Sequence, residues 1–283
     1  MESGQPSRTA YAAAAHRATH QVVESGRIFT DPLAVDLLGR DPADLAGEAA
    51  ANPTRRLMRL FIAVRTRFAE DALAAAVATG TRQLVILGAG LDTFAYRNPH
   101  AAVGLRVFEV DHPATQEWKR TRLAQADIAV PPALTFAPVD FESGTLADGL
   151  AAAGFDPGVD TFFSWLGVVP YLTREAIVGT LRLVGGLGAA SQVVFDYAEP
   201  PDSLPPDRRA AYEVRAGRVA GLGEPWISHF DPAELAGDLR GLGFDEIEDL
   251  GPEQIAARYF GLTTGRGGRA GGHVIRAGHP RTG

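Results

Sequence analysis

From Arg82 onward the chain repeats one pattern, a short apolar run rich in β-forming residues followed by an amphipathic segment of helix length. This alternation is typical of βαβ units, in which helices cover a parallel sheet. We therefore predict an α/β fold with a doubly wound, seven-stranded, mostly parallel sheet. The predicted strands are Leu84–Leu87, Leu105–Val110, Leu134–Val139, Val159–Phe163, Ser191–Phe195, Asp245–Glu248 and His273–Arg276.

Residues 10–78 carry no strand signal and are rich in alanine, which predicts a helical cap over residues 1–78. Proline or a capping residue marks further helix starts at Asp31-Pro32, Pro113, Thr173 and Asp231. We predict a single domain of 1–283, in which 82–196 forms the core and 231–283 completes the sheet.

The stretch Tyr197 to Phe230 interrupts the alternation after the fifth predicted strand. It begins with several prolines and continues as an Arg-rich helical segment, Asp207 to Val219. At 34 residues it is too long for an ordinary connection, so we interpret 197–230 as a lid insertion that contacts a ligand.

Composition excludes several classes of function. The chain has no cysteine, which excludes disulfides, thiolate zinc sites and a cysteine nucleophile. Its formal net charge of -7 provides no global positive field for nucleic acid or an anionic membrane. We expect a small-molecule partner, no nucleic acid and no membrane association; the oligomeric state stays open.

The N-terminus is polar and no run approaches the length of a membrane span, so we expect a cytoplasmic protein. His16 and His20 stand four residues apart, at the spacing of two ligands on one helical face. Because no third ligand is placed beside them, we predict no metal site.

The first predicted strand runs directly into Gly88-Ala89-Gly90-Leu91-Asp92-Thr93. Glycine at two positions lets the backbone approach a ligand closely, and the turn is expected to lead to a helix N-terminus. A dinucleotide fingerprint needs a third Gly or Ala at Thr93, where it is missing. An NAD(P)-dependent oxidoreductase is therefore the weaker alternative.

Acidic residues end the next two predicted strands. Glu109 and Asp111 lie on the same side of an alternating strand, and Asp111 stands about 20 residues after the glycines, the spacing for an acidic residue on an adenosine ribose. Asp140-Phe141 follows the third strand, where a carboxylate accepts from an adenine amino group and a ring lies along the purine. Because all three features are at carboxyl ends of strands, we predict that they form one ligand site.

These residues resemble the leucine carboxyl methyltransferase family, and within it the bacterial O-methyltransferases of secondary metabolism that use S-adenosyl-L-methionine (SAM). The resemblance covers Ser7 to about Pro200. Its most specific motifs are Gly88-Ala89-Gly90-Leu91-Asp92-Thr93 and Glu109-Val110-Asp111-His112-Pro113, joined by Ser7-Arg8-Thr9-Ala10, Arg17-Ala18, His20-Gln21, Asp31-Pro32, Arg65-Thr66-Arg67-Phe68, Asp140-Phe141 and Ser164–Leu172.

The resemblance implies a Rossmann-like methyltransferase with SAM as cofactor and S-adenosyl-L-homocysteine (SAH) as product. It implies that Arg67, with Arg65 as a rival, binds the methionine carboxylate. By the same resemblance Gly88 contacts the cofactor, Asp111 the ribose and Asp140-Phe141 the adenine. The predicted cofactor-binding residues are Arg67, Gly88, Ala89, Gly90, Asp92, Glu109, Asp111, Asp140, Phe141, Ser164 and Trp165.

The acceptor side is less determined. Leu166 stands where the carboxyl methyltransferases have Glu, which favours a small molecule over a protein terminus as acceptor. Methyl transfer to a carboxylate needs no base, whereas transfer to a phenol or alcohol does. His20 and then His229 are the candidate bases, with Tyr171 capping the pocket. A non-catalytic SAM-binding regulator is the alternative from another class.

Overall fold

The computed structural model describes residues 7–140, 144–187, 190–221, 223–262 and 271–279. Two compact units are distinguished by their internal contacts. Unit 1 comprises Met1–Val77 and Gly88–Phe155, and unit 2 comprises Ala78–Leu87 and Asp156–Gly283.

Seven strands form one sheet with the order β3-β2-β1-β4-β5-β7-β6. The strands are β1 (Gln83–Leu87), β2 (Arg106–Asp111), β3 (Leu134–Pro138), β4 (Thr161–Trp165), β5 (Gln192–Ala198), β6 (Glu246–Leu250) and β7 (Gly272–Gly278). Strand β7 is antiparallel to both of its neighbours, whereas the β1–β4, β2–β3 and β4–β5 pairs are parallel. The predicted mostly parallel, seven-stranded sheet is confirmed.

The described helices are α1 (Arg8–Val23), α2 (Ala34–Leu38), α3 (Pro42–Ala51), α4 (Arg56–Ala78), α5 (Pro113–Gln125), α6 (Leu146–Ala152), α7 (Arg174–Gly185), α8 (Pro206–Ala220), α9 (Pro232–Gly241) and α10 (Pro252–Phe260). The predicted helix starts at Thr173 and Asp231 are confirmed. The Thr173 hydroxyl accepts from Ala176 N–H, and the Asp231 carboxylate accepts from Ala233 and Glu234 N–H. Such caps satisfy N–H groups that have no partner within the helix.

Helices α1, α2 and α3 of unit 1 pack around a shared apolar cluster. Its buried members include Ala18, Leu37, Leu45 and Leu91. The alanines of α1 let the helices approach closely, and Leu91 anchors the turn that follows β1. The residues predicted to form the cap therefore contact the predicted ligand loop.

The turn after β1 does not lead into an α-helix, so that expectation is wrong. A single 3-10 turn, Phe94–Arg97, follows instead. The Asp92 carboxylate caps this turn by accepting from Phe94 N–H at 2.8 Å, and Asn98-Pro99 ends it because the residue before proline is driven out of the helical region. This loop thus lacks the helix N-terminus on which dinucleotide folds bind pyrophosphate.

In unit 2, β5 continues through Ala198, so the segment that follows it begins two residues later than the predicted insertion. We call residues 199–230 the lid segment. Helix α8 occupies its middle and has a small apolar cluster of its own, in which Leu204 and Tyr212 are buried against Ala216 and Trp226. The helical stretch predicted at Asp207 to Val219 is confirmed.

Candidate functional site

The glycine loop, residues 88–92, lies in unit 1 and begins with one exposed residue between buried ones. Gly88 is exposed, whereas the three residues after it and the whole of β1 before it are buried. Both Gly88 and Gly90 have positive φ, +66° and +45°, a region that L side chains rarely adopt. The Gly88 and Ala89 N–H groups bond to Val110 O, which fixes the loop to the end of β2.

Asp111 ends β2 with its carboxylate directed at the glycine loop. Its Oδ2 accepts from Gly90 N–H at 2.6 Å, and its Oδ1 accepts from His112 N–H at 2.7 Å. Burial raises the pKa of Asp111, while these two backbone N–H groups favour the ionised form. Each oxygen keeps a further lone pair, which is the acceptor that a ribose diol requires.

Glu109 does not accompany Asp111 toward the loop. Its side chain is fully buried, and Oε2 pairs with the Lys119 ammonium of α5 at 2.7 Å. Burial raises the pKa of Glu109 to about 7, although Lys119 opposes the rise. Alternation places Glu109 and Asp111 on the same side of β2, but α5 covers that side at Glu109. The geometry therefore disfavours Glu109 as a direct cofactor ligand.

A buried ionic network connects the residues after the glycine loop to α1 and to the turn before α2. The sequence did not indicate this network. Thr93 donates to the fully buried Asp31 at 2.7 Å, and Arg17, 3.5 Å from Asp31, also donates to Leu91 O. Arg97 bonds to Thr93 at 3.2 Å and pairs with Glu70. A hydroxyl is therefore needed where a dinucleotide fold has its third glycine.

The prediction that Asp31 caps a helix beginning at Pro32 is wrong, because α2 begins at Ala34 with Leu33 at its N-cap position and no side-chain cap. Oδ1 of Asp31 accepts from Leu33 N–H at 3.2 Å in the turn before α2, and Oδ2 accepts from Thr93 in the buried network. The sequence signal that could have identified the network is Arg17, which lies within the resemblance motif Arg17-Ala18.

The third acidic position, Asp140, follows β3 and is partly buried. Val139 N–H bonds to Asp111 O at 2.9 Å, so the ends of β2 and β3 lie side by side in unit 1. Phe141, predicted to lie along the adenine, is outside the described residues. Ala89 is buried in the loop, and Asp92 is engaged in the cap described above.

Arg67 and Arg65 lie two residues apart on α4 and have different surroundings. The Arg67 side chain is half exposed and its Nε pairs with Asp71 at 2.8 Å. Arg65 is buried, and its charge is close enough to act on His16. Burial first, and then Arg55, Arg59 and Arg65, lower the pKa of His16 to about 4. The geometry favours Arg65 over Arg67 as the residue that meets an anionic group.

His20, the first candidate base, is fully buried in α1. Its Nδ1 lies 3.2 Å from Glu24, whose carboxylate also receives two hydrogen bonds from Arg59. Burial lowers the pKa of His20, and the attraction of Glu24 does not compensate. The imidazole is thus neutral near pH 7 and part of an ionic cluster between α1 and α4.

Ser164 and Trp165, the residues predicted beside the methionine part of the cofactor, end β4 in unit 2. Trp165 is buried with its ring 6.0 Å from that of Phe195, and Ser164 is partly exposed. The turn after β4 is fixed by Gly167 N–H, which donates to Asp196 at 2.6 Å. Tyr171 lies in a short 3-10 turn just beyond and is partly exposed.

His229, the second candidate base, belongs to the lid segment. Its Nε2 shares a short hydrogen bond with the Tyr212 hydroxyl of α8. Burial lowers the pKa of His229. The two candidate bases thus differ: His20 is fully buried and its Nε2 has no hydrogen-bond partner among the described residues, whereas His229 is partly buried and bonded to Tyr212.

Within the described ranges, no group of three or more His, Asp or Glu side chains could hold a metal ion. The helices in that same part of the chain are too short or too polar for any of them to cross a membrane.

Comparison with known proteins identifies the family of this chain. The sequence profile described as leucine carboxyl methyltransferase matches residues 10–185, a range that contains the glycine loop, Asp111 and the end of β4. The chain belongs to the leucine carboxyl methyltransferase family. It is 32% identical over 284 residues to YktD of Bacillus subtilis, covering 92% of this chain and 93% of YktD, whose name assigns it to the S-adenosyl-L-methionine-dependent methyltransferases.

A relative from Frankia alni with the same description is 34% identical over 238 residues, covering 82% of this chain and 80% of that protein. Among solved structures, a DUF574 family protein from Streptomyces avermitilis shares the fold with a TM-score of 0.53 at 16% identity, covering 94% and 97% of the two chains. This family member is a SAM-dependent methyltransferase with the class I α/β fold. SAM is its cofactor, and the NAD(P) alternative is set aside.

The residues of unit 1 fit this cofactor. Gly88 presents backbone instead of a side chain at the end of β1, and Asp111 presents a carboxylate one strand away. The absence of an α-helix N-terminus after the loop matches a cofactor that carries no phosphate.

Proposed function

We propose that this methyltransferase acts on an oxygen of a small molecule, and that the oxygen belongs to a carboxylate. The proposal rests on the burial and hydrogen bonding of the two candidate bases. His20 is fully buried against Glu24, and the Nε2 atom of His229 already shares a hydrogen bond with the Tyr212 hydroxyl, which favours an acceptor that needs no base.

The chemistry explains why this matters. Bound SAM supplies a methyl group on a positively charged sulfur, and an ionised carboxylate accepts it without losing a proton, whereas a phenol or alcohol requires a base. The protein then has to orient the two reactants and exclude water. The description of the matching family, leucine carboxyl methyltransferase, supports the same acceptor group.

The cofactor is proposed to lie over the glycine loop, with Asp111 on the ribose, Asp140 near the adenine and Arg65 on the methionine carboxylate. Arg65 replaces Arg67 in this proposal because it is buried, whereas Arg67 is half exposed and pairs with Asp71. That Ser164 and Trp165 bind the methionine part of the cofactor, and that Tyr171 caps the pocket, stay predictions of the resemblance.

A small-molecule acceptor is favoured by Leu166 in place of Glu and by the lid segment, which can cover a ligand of limited size. That the acceptor is a secondary metabolite stays a prediction of the resemblance.

The test is a screen that measures SAH release from SAM with matched sets of carboxylic acids, phenols and primary alcohols. The proposal expects turnover with at least one carboxylic acid and none with its alcohol counterpart. Turnover confined to phenols would contradict the carboxylate proposal, and SAH binding without turnover on any set would favour a regulator.

A further inference from the structure

Arg215 on α8 is a partly buried cation with no anionic partner in the described part of the chain. Its Nε is buried without a hydrogen-bond partner there, and none of the ion pairs found in those residues includes it. Burial lowers the pKa of Arg215, and only the Tyr212 side chain opposes this. Burying a charge without a partner is costly, so this arginine is set up to receive an anion.

Arg209 of the same helix differs from Arg215 because its guanidinium has hydrogen-bond and ionic partners. Arg209 donates to Pro201 O at 3.1 Å and to Asp202 O at 2.8 Å, and its Nη1 lies 3.5 Å from the Asp202 carboxylate. Arg209 therefore holds the start of the lid segment in place. Among the described residues, Arg215 has no hydrogen bond or ion pair of this kind.

Tyr212 connects the face of α8 that carries Arg215 to the end of the lid segment. Tyr212 precedes it by three residues and so lies on the same face of α8. The Tyr212 hydroxyl bonds to His229, and the Tyr212 ring lies 5.5 Å from that of Trp226. A cation, a hydroxyl, an imidazole and an indole are thus gathered within the lid segment.

The lid segment is attached where ligands bind in folds of this class. Ile227 N–H donates to Pro170 O at 2.7 Å, just beyond the carboxyl end of β4, and Phe230 N–H donates to Ala198 O at 3.1 Å, at the carboxyl end of β5. Open α/β sheets bind ligands outside the carboxyl ends of their strands. The stretch that carries Trp226 and His229 therefore lies at that edge within unit 2.

We propose that Arg215, Tyr212 and His229 form the acceptor subsite and that they bind a carboxylate of the acceptor. The guanidinium donates two parallel hydrogen bonds that match the two oxygens of a carboxylate. Tyr212 and His229 provide a further donor, and Trp226 contacts the apolar part of the acceptor. This inference rests on the proposed function and assigns its specificity to the lid.

Selectivity follows from the charge. A primary amide has the shape of a carboxylate but places an NH₂ group against the guanidinium, so one hydrogen bond becomes a repulsion between donors. The subsite thus distinguishes an acid from its amide, even when the rest of the two molecules is identical.

The test is fluorine NMR of para-fluorobenzoate and para-fluorobenzamide with the SAH-saturated enzyme. We expect the benzoate to bind and the benzamide not to bind. Arg215→Met should weaken benzoate binding by about tenfold or more, which is the loss of one strong interaction. The matched control is Arg218→Met, because Arg218 is exposed one turn further along α8 and should not matter.

Calorimetric titration of each variant with SAH separates this inference from the proposed function. We expect equal SAH affinity in all of them. Three results would overturn the subsite. They are benzoate binding to Arg215→Met as tight as to the native chain, benzamide binding as tight as benzoate binding, and no benzoate binding at all. Should Arg215→Met fail to fold, Arg215→Lys replaces it. Undiminished benzoate binding by Arg215→Lys would contradict recognition through two parallel hydrogen bonds.

Discussion

The carboxylate of Asp111 accepts a hydrogen bond from Gly90 N–H at 2.6 Å, which ties the glycine loop to the end of β2. The same carboxylate is the predicted ribose ligand. A group that both braces the loop and binds the cofactor is costly to replace, because one substitution removes both interactions.

Asp111→Ala should abolish measurable SAH binding while the protein stays folded. The variant loses the ribose acceptor and leaves the Gly90 and His112 N–H groups without their partner. Calorimetric titration measures the affinity, and circular dichroism checks the fold. Asp36→Asn, an exposed position on α2, is the control and should bind like the native chain. Unchanged affinity in a folded Asp111→Ala would remove this residue from the site.

Arg65→Met should weaken SAH binding, and Arg67→Met should not. Arg65 is the buried member of the pair, whereas Arg67 is half exposed on Asp71. The readout that isolates the methionine carboxylate is a comparison with 5′-methylthioadenosine, which lacks the amino acid. We expect Arg65→Met to bind methylthioadenosine like the native chain and to lose about tenfold or more for SAH. The reverse ranking of the two variants would restore Arg67.

Lys119→Met should destabilise the fold by about 3–5 kcal/mol, since it leaves the fully buried Glu109 without its partner. Replacing both residues, as in Glu109→Leu with Lys119→Met, should recover most of this loss because no unpaired charge remains. Urea unfolding measures the free energy of each variant. A single variant as stable as the native chain would show that the pair contributes nothing.

His273 of unit 2, which lies 3.0 Å from both Glu199 and Asp249, should make the free energy of unfolding depend on pH. Burial opposes the protonated imidazole, but hydrogen bonds and charges of Asp249 and Glu199 outweigh it and raise the pKa of His273. The contribution of a raised pKa is fully present below the unfolded value of 6.5 and is lost as pH rises through the folded value. The difference in unfolding free energy between the native chain and His273→Gln should therefore shrink with rising pH. A difference that grows with pH would contradict this sign.

The sequence predicted the sheet well because strand signals are local. Short apolar runs separated by helix-length segments mark β1 to β7 within a few residues, and Thr173 and Asp231 mark their helices by capping chemistry. The same reasoning placed Gly88 and Asp111 at neighbouring strand ends, since in a parallel sheet the carboxyl ends share an edge.

Long-range electrostatics could not be predicted in this way. Glu109 pairs with a lysine ten residues later, and Asp31 pairs with Thr93, 62 residues away. Nothing in the local pattern distinguishes such partners from surface charges. Arg65 and Arg67 likewise differ only in the face of α4 that they occupy, and the packing of that helix decides which one is buried.

The chemical stability of the transferred methyl group distinguishes a carboxylate acceptor from every other acceptor. The enzyme is incubated with SAM tritiated in its methyl group and the panel of acids, phenols and alcohols, and the products are treated with mild base. Carboxyl methyl esters hydrolyse and release volatile tritiated methanol, and we expect this release. Methylated product that withstands base would place the methyl group on a phenol, an alcohol or a nitrogen, and would contradict the carboxylate acceptor.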